Sequence, residues 1–130
     1  MARINCFDPI SLRIEAMPAG EVFIISDFSD LADESNYPIY LHCTYGRDRT
    51  GTVCYLLEAV LGLSDENLRR EYEMSVFNDS YADFESFAGL TTMLSMYEGA
   101  TTQEKAENYL LSIGVTADEI ASIRRIFLGE

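Results

Sequence analysis

A chain of 130 residues fits one domain, 1–130, with room for a real hydrophobic core. Apolar residues make up 48% of it, which excludes a disordered chain, and its formal charge of −13 disfavours nucleic acid and anionic membranes as nonspecific partners. Its cysteines, Cys6, Cys43 and Cys54, have no regular spacing and there is one histidine, so neither a disulfide framework nor a zinc site is expected. No apolar run approaches the ~18 residues of a membrane span. Nor does a signal-peptide core follow Met1-Ala2-Arg3-Ile4-Asn5. The expectation is a soluble, cytoplasmic protein, with secretion left open if a native N-terminal segment is missing.

In chain order, residues 1–19 give no clear pattern, broken as they are by Pro9 and Pro18. Val22, Ile25 and Phe28, with Ile24 and Leu31, recur at helical spacing and predict a helix near 20–34, ended by Asn36-Tyr37-Pro38. Ile39-Tyr40-Leu41-His42 is a short β-prone run and reads as a buried strand. From Arg49 onward Val53, Leu56, Leu57, Val60 and Leu61 form the apolar face of a helix that Gly62 closes. Ser64 is a candidate N-cap for a helix to about residue 75, and Phe84, Phe87, Leu90 and Leu94 mark another near 81–97. Thr101 with Glu104, and Thr116 with Glu119, are capping-box pairs. They open helices carrying Ala106, Tyr109, Leu110 and Ile113, then Ile120, Ile123 and Phe127, with Gly114 between them.

The chemistry concentrates in His42-Cys43-Thr44-Tyr45-Gly46-Arg47-Asp48-Arg49-Thr50-Gly51, between the predicted strand and the long helix. A tight loop there can turn backbone N–H groups onto a phosphate, and the positive end of the following helix favours the same charge. Gly46 permits the bend, and Arg49 offers a planar fork for two phosphate oxygens. The groups that hold a phosphate also stabilise a thiolate at Cys43. A cysteine so placed has its pKa lowered to roughly 3.5–7.5 and becomes a strong nucleophile.

The string His-Cys-x5-Arg-Thr between strand and helix resembles the signature loop of the protein tyrosine phosphatases. Its Gly-x-Asp-Arg-Thr-Gly variant is similar to a bacterial tyrosine and dual-specificity subgroup, akin also to the myotubularin lipid phosphatases. The resemblance runs from Tyr37 to Ser75, including Glu71-Tyr72-Glu73, and more loosely from Thr102 to Leu128. It implies an α/β fold: a reduced phosphatase-type sheet, the phosphate loop between a central strand and a buried helix, and a helical C-terminal half. It implies a hydrolase that works through a phosphocysteine intermediate and needs no cofactor, acting on a phosphorylated protein or a small phosphomonoester. Carried over by position, Cys43 is the nucleophile, Arg49 binds phosphate, His42 steadies the loop and Thr50 donates to the sulfur. Asp48 matches the general acid of relatives that carry Asp there. Thr44, Tyr45, Gly46, Arg47 and Gly51 line the substrate, with Arg47 matching a residue that widens acceptance to more highly phosphorylated ligands.

The family usually has a longer segment before the catalytic cysteine, bearing strands and an acid loop. Here Asp8, Asp27, Asp30 and Asp33 stand upstream without a Trp-Pro-Asp context, and the chain has no Trp. A shortened form is therefore expected, with an exposed sheet edge that could pair two copies as a homodimer. Cys54 reads as a core thiol or, alternatively, as a resolving thiol that protects Cys43. Three other functions stay open: a phosphate-binding module without turnover, a phosphoinositide phosphatase, and another thiol enzyme such as a rhodanese or arsenate reductase.

Overall fold

The computed structural model describes residues 13–16, 23–25, 28–42, 48–74 and 84–130. Its described strands make one antiparallel sheet. Strand β1 (Arg13–Ala16) lies between β2 (Phe23–Ile25) and β3 (Ile39–His42). Ile14 sits opposite both Ile25 and Leu41, and Ala16 opposite both Phe23 and Ile39. Along β3 the side chains alternate as a pleat demands: Ile39 and Leu41 pack against the core while Tyr40 is exposed.

Two expectations are corrected here. The helix near 20–34 is instead strand β2 followed by two 3₁₀ segments, Phe28–Ala32 and Glu34–Asn36. Phe23-Ile24-Ile25 is a β-prone run, and the spacing of Phe28 and Leu31 suits one 3₁₀ turn as well as an α-turn, since i and i+3 eclipse there. The strand Ile39–His42, expected to be buried, has Tyr40 exposed and Ile39 and Leu41 half-buried; among the described strands it pairs with β1, and β2 lies on the far side.

The 3₁₀ segments are held by specific contacts. Phe28 and Leu31 are buried and pack toward the last helix, and the Tyr37 hydroxyl donates to the Leu31 carbonyl at 2.7 Å. The Tyr37 ring meets Phe127 edge-on at 5.8 Å. Asp33 caps the second segment, accepting from the Ser35 N–H at 2.9 Å and the Ser35 hydroxyl at 2.6 Å.

Five helices complete the described chain: α1 (Asp48–Val60), α2 (Asp65–Glu73), α3 (Phe84–Ser95), α4 (Thr102–Ser112) and α5 (Ala117–Leu128). Helix α1 is the buried one. Val53, Leu56, Ala59 and Val60 are fully excluded from solvent, and α1 packs against α2, α4 and β3. Burying a Leu or Val side chain is worth about 1.5–3 kcal/mol, so this helix anchors the core and fixes where its own first turn sits. It ends at Gly62, whose φ of 88° lets its N–H reach the Ala59 carbonyl while the Leu63 N–H reaches that of Glu58.

The predicted caps largely form. Ser64 accepts from the Asn67 N–H, and Thr116 and Glu119 make a complete capping box. At Thr101 only half of the box is present. Its hydroxyl accepts from the Glu104 N–H, but the Glu104 carboxylate accepts from the Ala100 N–H at 2.6 Å. The cause is local: the backbone at Gly99 passes so close that a Cβ there would lie 2.8 Å from Glu104 Cβ, bringing Ala100 over the first turn. No described helix is long and apolar enough to cross a membrane.

Candidate functional site

His42 is the last residue of β3, and Asp48, Arg49, Thr50 and Gly51 are the first four of α1. Cys43, Thr44, Tyr45, Gly46 and Arg47 lie outside the described residues, as do the side chains of His42, Asp48 and Arg49. The fold thus fixes both ends of a five-residue connection from a strand C-terminus to a helix N-terminus. The first N–H groups of any α-helix have no intrahelical acceptor, and its N-terminal end carries partial positive charge. These groups and that charge lie at Asp48, Arg49 and Thr50.

Thr50 is the first residue of α1 whose side chain is described. Its Oγ1 is buried and has no hydrogen-bond partner among the described residues. Leaving a buried hydroxyl unsatisfied costs about 1–3 kcal/mol, so a partner is to be expected nearby. Beside it Gly51 is half-buried and faces an aromatic ring: a Cβ at this position would stand 3.1 Å from Tyr72 Cε2. The Tyr72 ring lies 5.3 Å from that of Phe87 in α3, and Phe87 meets Tyr55 of α1 edge-on at 5.8 Å. An aromatic run from α1 through α3 to α2 therefore presses on the first turn of α1. Reading the sequence alone misses this role of Tyr72. The available signal was Gly51 itself: glycine inside a helix costs roughly 0.5–1 kcal/mol relative to alanine, which calls for a close neighbour.

Cys54 lies one turn beyond Thr50, half-buried. Burial, and secondarily the charge of Glu58, push its thiol up to about 11. At neutral pH only ~10⁻⁴ of it is thiolate, which suits a core thiol and leaves little for a resolving role. Upstream, Asp33 is held below its ordinary value by its bonds to Ser35, so it is occupied as a cap and poorly suited to donate a proton.

Glu58 itself is raised above its ordinary 4.5, by burial first and then by Glu71. An ionised carboxylate is thus disfavoured in the fold, and its penalty appears as pH rises from 4.5 through the raised folded value. Replacing Glu58 by Gln is expected to stabilise the protein slightly at pH 7, by less than about 0.5 kcal/mol given its solvent exposure. The gain should vanish below the ordinary carboxylate range. Thermal melts of the two proteins across that range check this; a gain that grows on acidification contradicts it.

Among the described residues no group of three or more His, Cys, Asp or Glu could hold a metal ion. No curated protein and no solved structure matches the chain significantly. Residues 23–129, from β2 through α5, match the tyrosine phosphatase family, and a match over so much of the chain makes this protein a member of that family.

Proposed function

We propose that this chain is a cysteine-dependent phosphomonoesterase acting on phosphotyrosine or a similarly small ester, through a phosphocysteine intermediate. The carrying observation is the family match over residues 23–129 together with Cys43-x5-Arg49-Thr50-Gly51 at the strand-to-helix junction. In this reading the Cys43 thiolate attacks phosphorus, the S–P bond forms as the ester P–O bond breaks, and Asp48 gives its proton to the departing oxygen. Water then attacks phosphorus, giving a proton back to the Asp48 carboxylate, and the S–P bond breaks, releasing phosphate and restoring the thiolate. Arg49 and the N–H groups of the loop and helix start stabilise the charge on the transferring phosphoryl group. The buried Thr50 hydroxyl, without a partner among the described residues, supports a role for Thr50 as donor to the sulfur. Residues 42–52 carry two arginines against one aspartate, a weakly positive spot in a chain of −13. That contrast favours a compact phosphomonoester over a polyanionic surface.

Hydrolysis of p-nitrophenyl phosphate tests the reading. Turnover is expected to persist in a metal chelator, because thiolate and loop supply both nucleophile and charge stabilisation. Arg49→Lys should lower it on the order of 10–100-fold, since a point charge cannot replace the two-pronged guanidinium. A chain that binds phosphate without hydrolysing any ester would be a phosphate-binding module instead.

A further inference from the structure

The ring of Tyr72 occupies the space where a side chain at position 51 would project. Its Cε2, Cδ2 and Cζ stand 3.1, 3.4 and 3.6 Å from the Cβ that Gly51 lacks. The ring is not free to withdraw. Phe87 tilts against it at 55°, and Phe87 in turn abuts the buried Tyr55. Leu68, one turn earlier in α2, is buried in the core and holds that helix down. The packing therefore converges on one backbone position, in the same helical turn as Arg49 and Thr50. We infer that Tyr72 is a positioning residue: pressing on Gly51, it fixes the first turn of α1 and so the anion-stabilising end of the helix that serves Cys43. Among the described residues, its ring reaches the first turn of α1 at Gly51.

The inference rests on the phosphatase reading above and on the thiolate that reading assigns to Cys43. Removing the ring gives the first turn room to shift, which weakens the aim of its N–H groups and of Arg49. The thiolate then loses stabilisation and Cys43 titrates higher.

The test is the pH dependence of Cys43 alkylation by iodoacetamide, followed on the Cys43 peptide by mass spectrometry, with Tm measured alongside. In the wild type the midpoint should lie below the ordinary thiol value of about 8.5. Tyr72→Ala is expected to move it upward by about 1 pH unit, a tenfold loss of thiolate below the midpoint. Tyr72→Phe, which keeps the ring, should restore it. Ile123→Val in α5 should lower Tm and leave the midpoint in place. If Tyr72→Ala does not stay folded, Tyr72→Leu keeps apolar bulk without the ring and should show the same upward shift. A lowered wild-type midpoint that the ring-less variants leave unmoved, whatever their Tm, overturns the role of Tyr72 alone. A wild-type midpoint at the ordinary thiol value overturns the phosphatase reading, and this inference with it.

Discussion

Cys43→Ser is expected to reduce hydrolysis of p-nitrophenyl phosphate by ~10⁴-fold or more while orthovanadate or phosphate still binds. The two halves of that expectation come from different parts of the site. Nucleophilic power belongs to the sulfur, because the loop environment can bring a thiol to its thiolate near neutral pH. A serine hydroxyl ionises far too weakly for the same surroundings to compensate. In the proposed mechanism anion binding belongs to Arg49 and the N–H groups at the start of α1, which the substitution leaves in place. Substantial remaining turnover would remove the covalent route. Loss of anion binding along with turnover would mean that the variant has disturbed the loop rather than the nucleophile.

Asp48→Asn should lower the hydrolysis of alkyl phosphates by about 10²–10⁴-fold, the usual contribution of a positioned acid, while costing little on esters with good leaving groups. Asp48 is the first residue of α1, one before Arg49. In the proposed mechanism a helix N-terminus favours a carboxylate's charged form and a bound phosphate dianion favours its proton, so the acid is ready only in the complex. The structure narrows the alternatives by showing Asp33 committed to its cap. Rates for wild type and Asp48→Asn over a series of leaving groups decide the matter. Equal losses across the series would assign Asp48 to loop structure and return the acid to Asp8, Asp27 or Asp30.

Local patterns carried most of what the sequence disclosed. Ile39–His42 is a strand, as the β-prone run foretold, though Tyr40 is exposed and Ile39 and Leu41 are half-buried rather than buried; Asp48–Val60 is a buried helix, as the apolar spacing from Val53 to Leu61 foretold. Ser64, Thr101 and Thr116 cap where their side-chain chemistry puts them, because capping is settled within four residues. The predicted helix to residue 75 ends at Glu73, and that near 81–97 runs over Phe84–Ser95, with residues 75–83 outside the described ones.

Non-local pairing was hidden. Strand β1 is four residues flanked by a partner strand on each edge, and nothing in Arg13-Ile14-Glu15-Ala16 names Phe23-Ile24-Ile25 as one of them. Between residues 20 and 34 an apolar spacing of three suits one α-helix, yet Phe23–Ile25 is a strand and Phe28–Ala32 a 3₁₀ segment. A candidate nucleophile and a candidate phosphate-binding arginine could be singled out because the loop motif is compact in sequence. The contact between Tyr72 and Gly51 could not, since a glycine announces that something comes close without saying what.

In the proposed mechanism phosphoryl transfer passes through the Cys43 sulfur. Rapid acid quench of the enzyme during turnover, followed by mass spectrometry of its cysteine-containing peptides, tests it most directly. A phosphoryl group on the Cys43 peptide, absent from those of Cys6 and Cys54 and lost in Cys43→Ser, is the predicted result. Steady hydrolysis with no label on Cys43 at any quench time, in an enzyme whose Cys43→Ser variant still turns over, would contradict it.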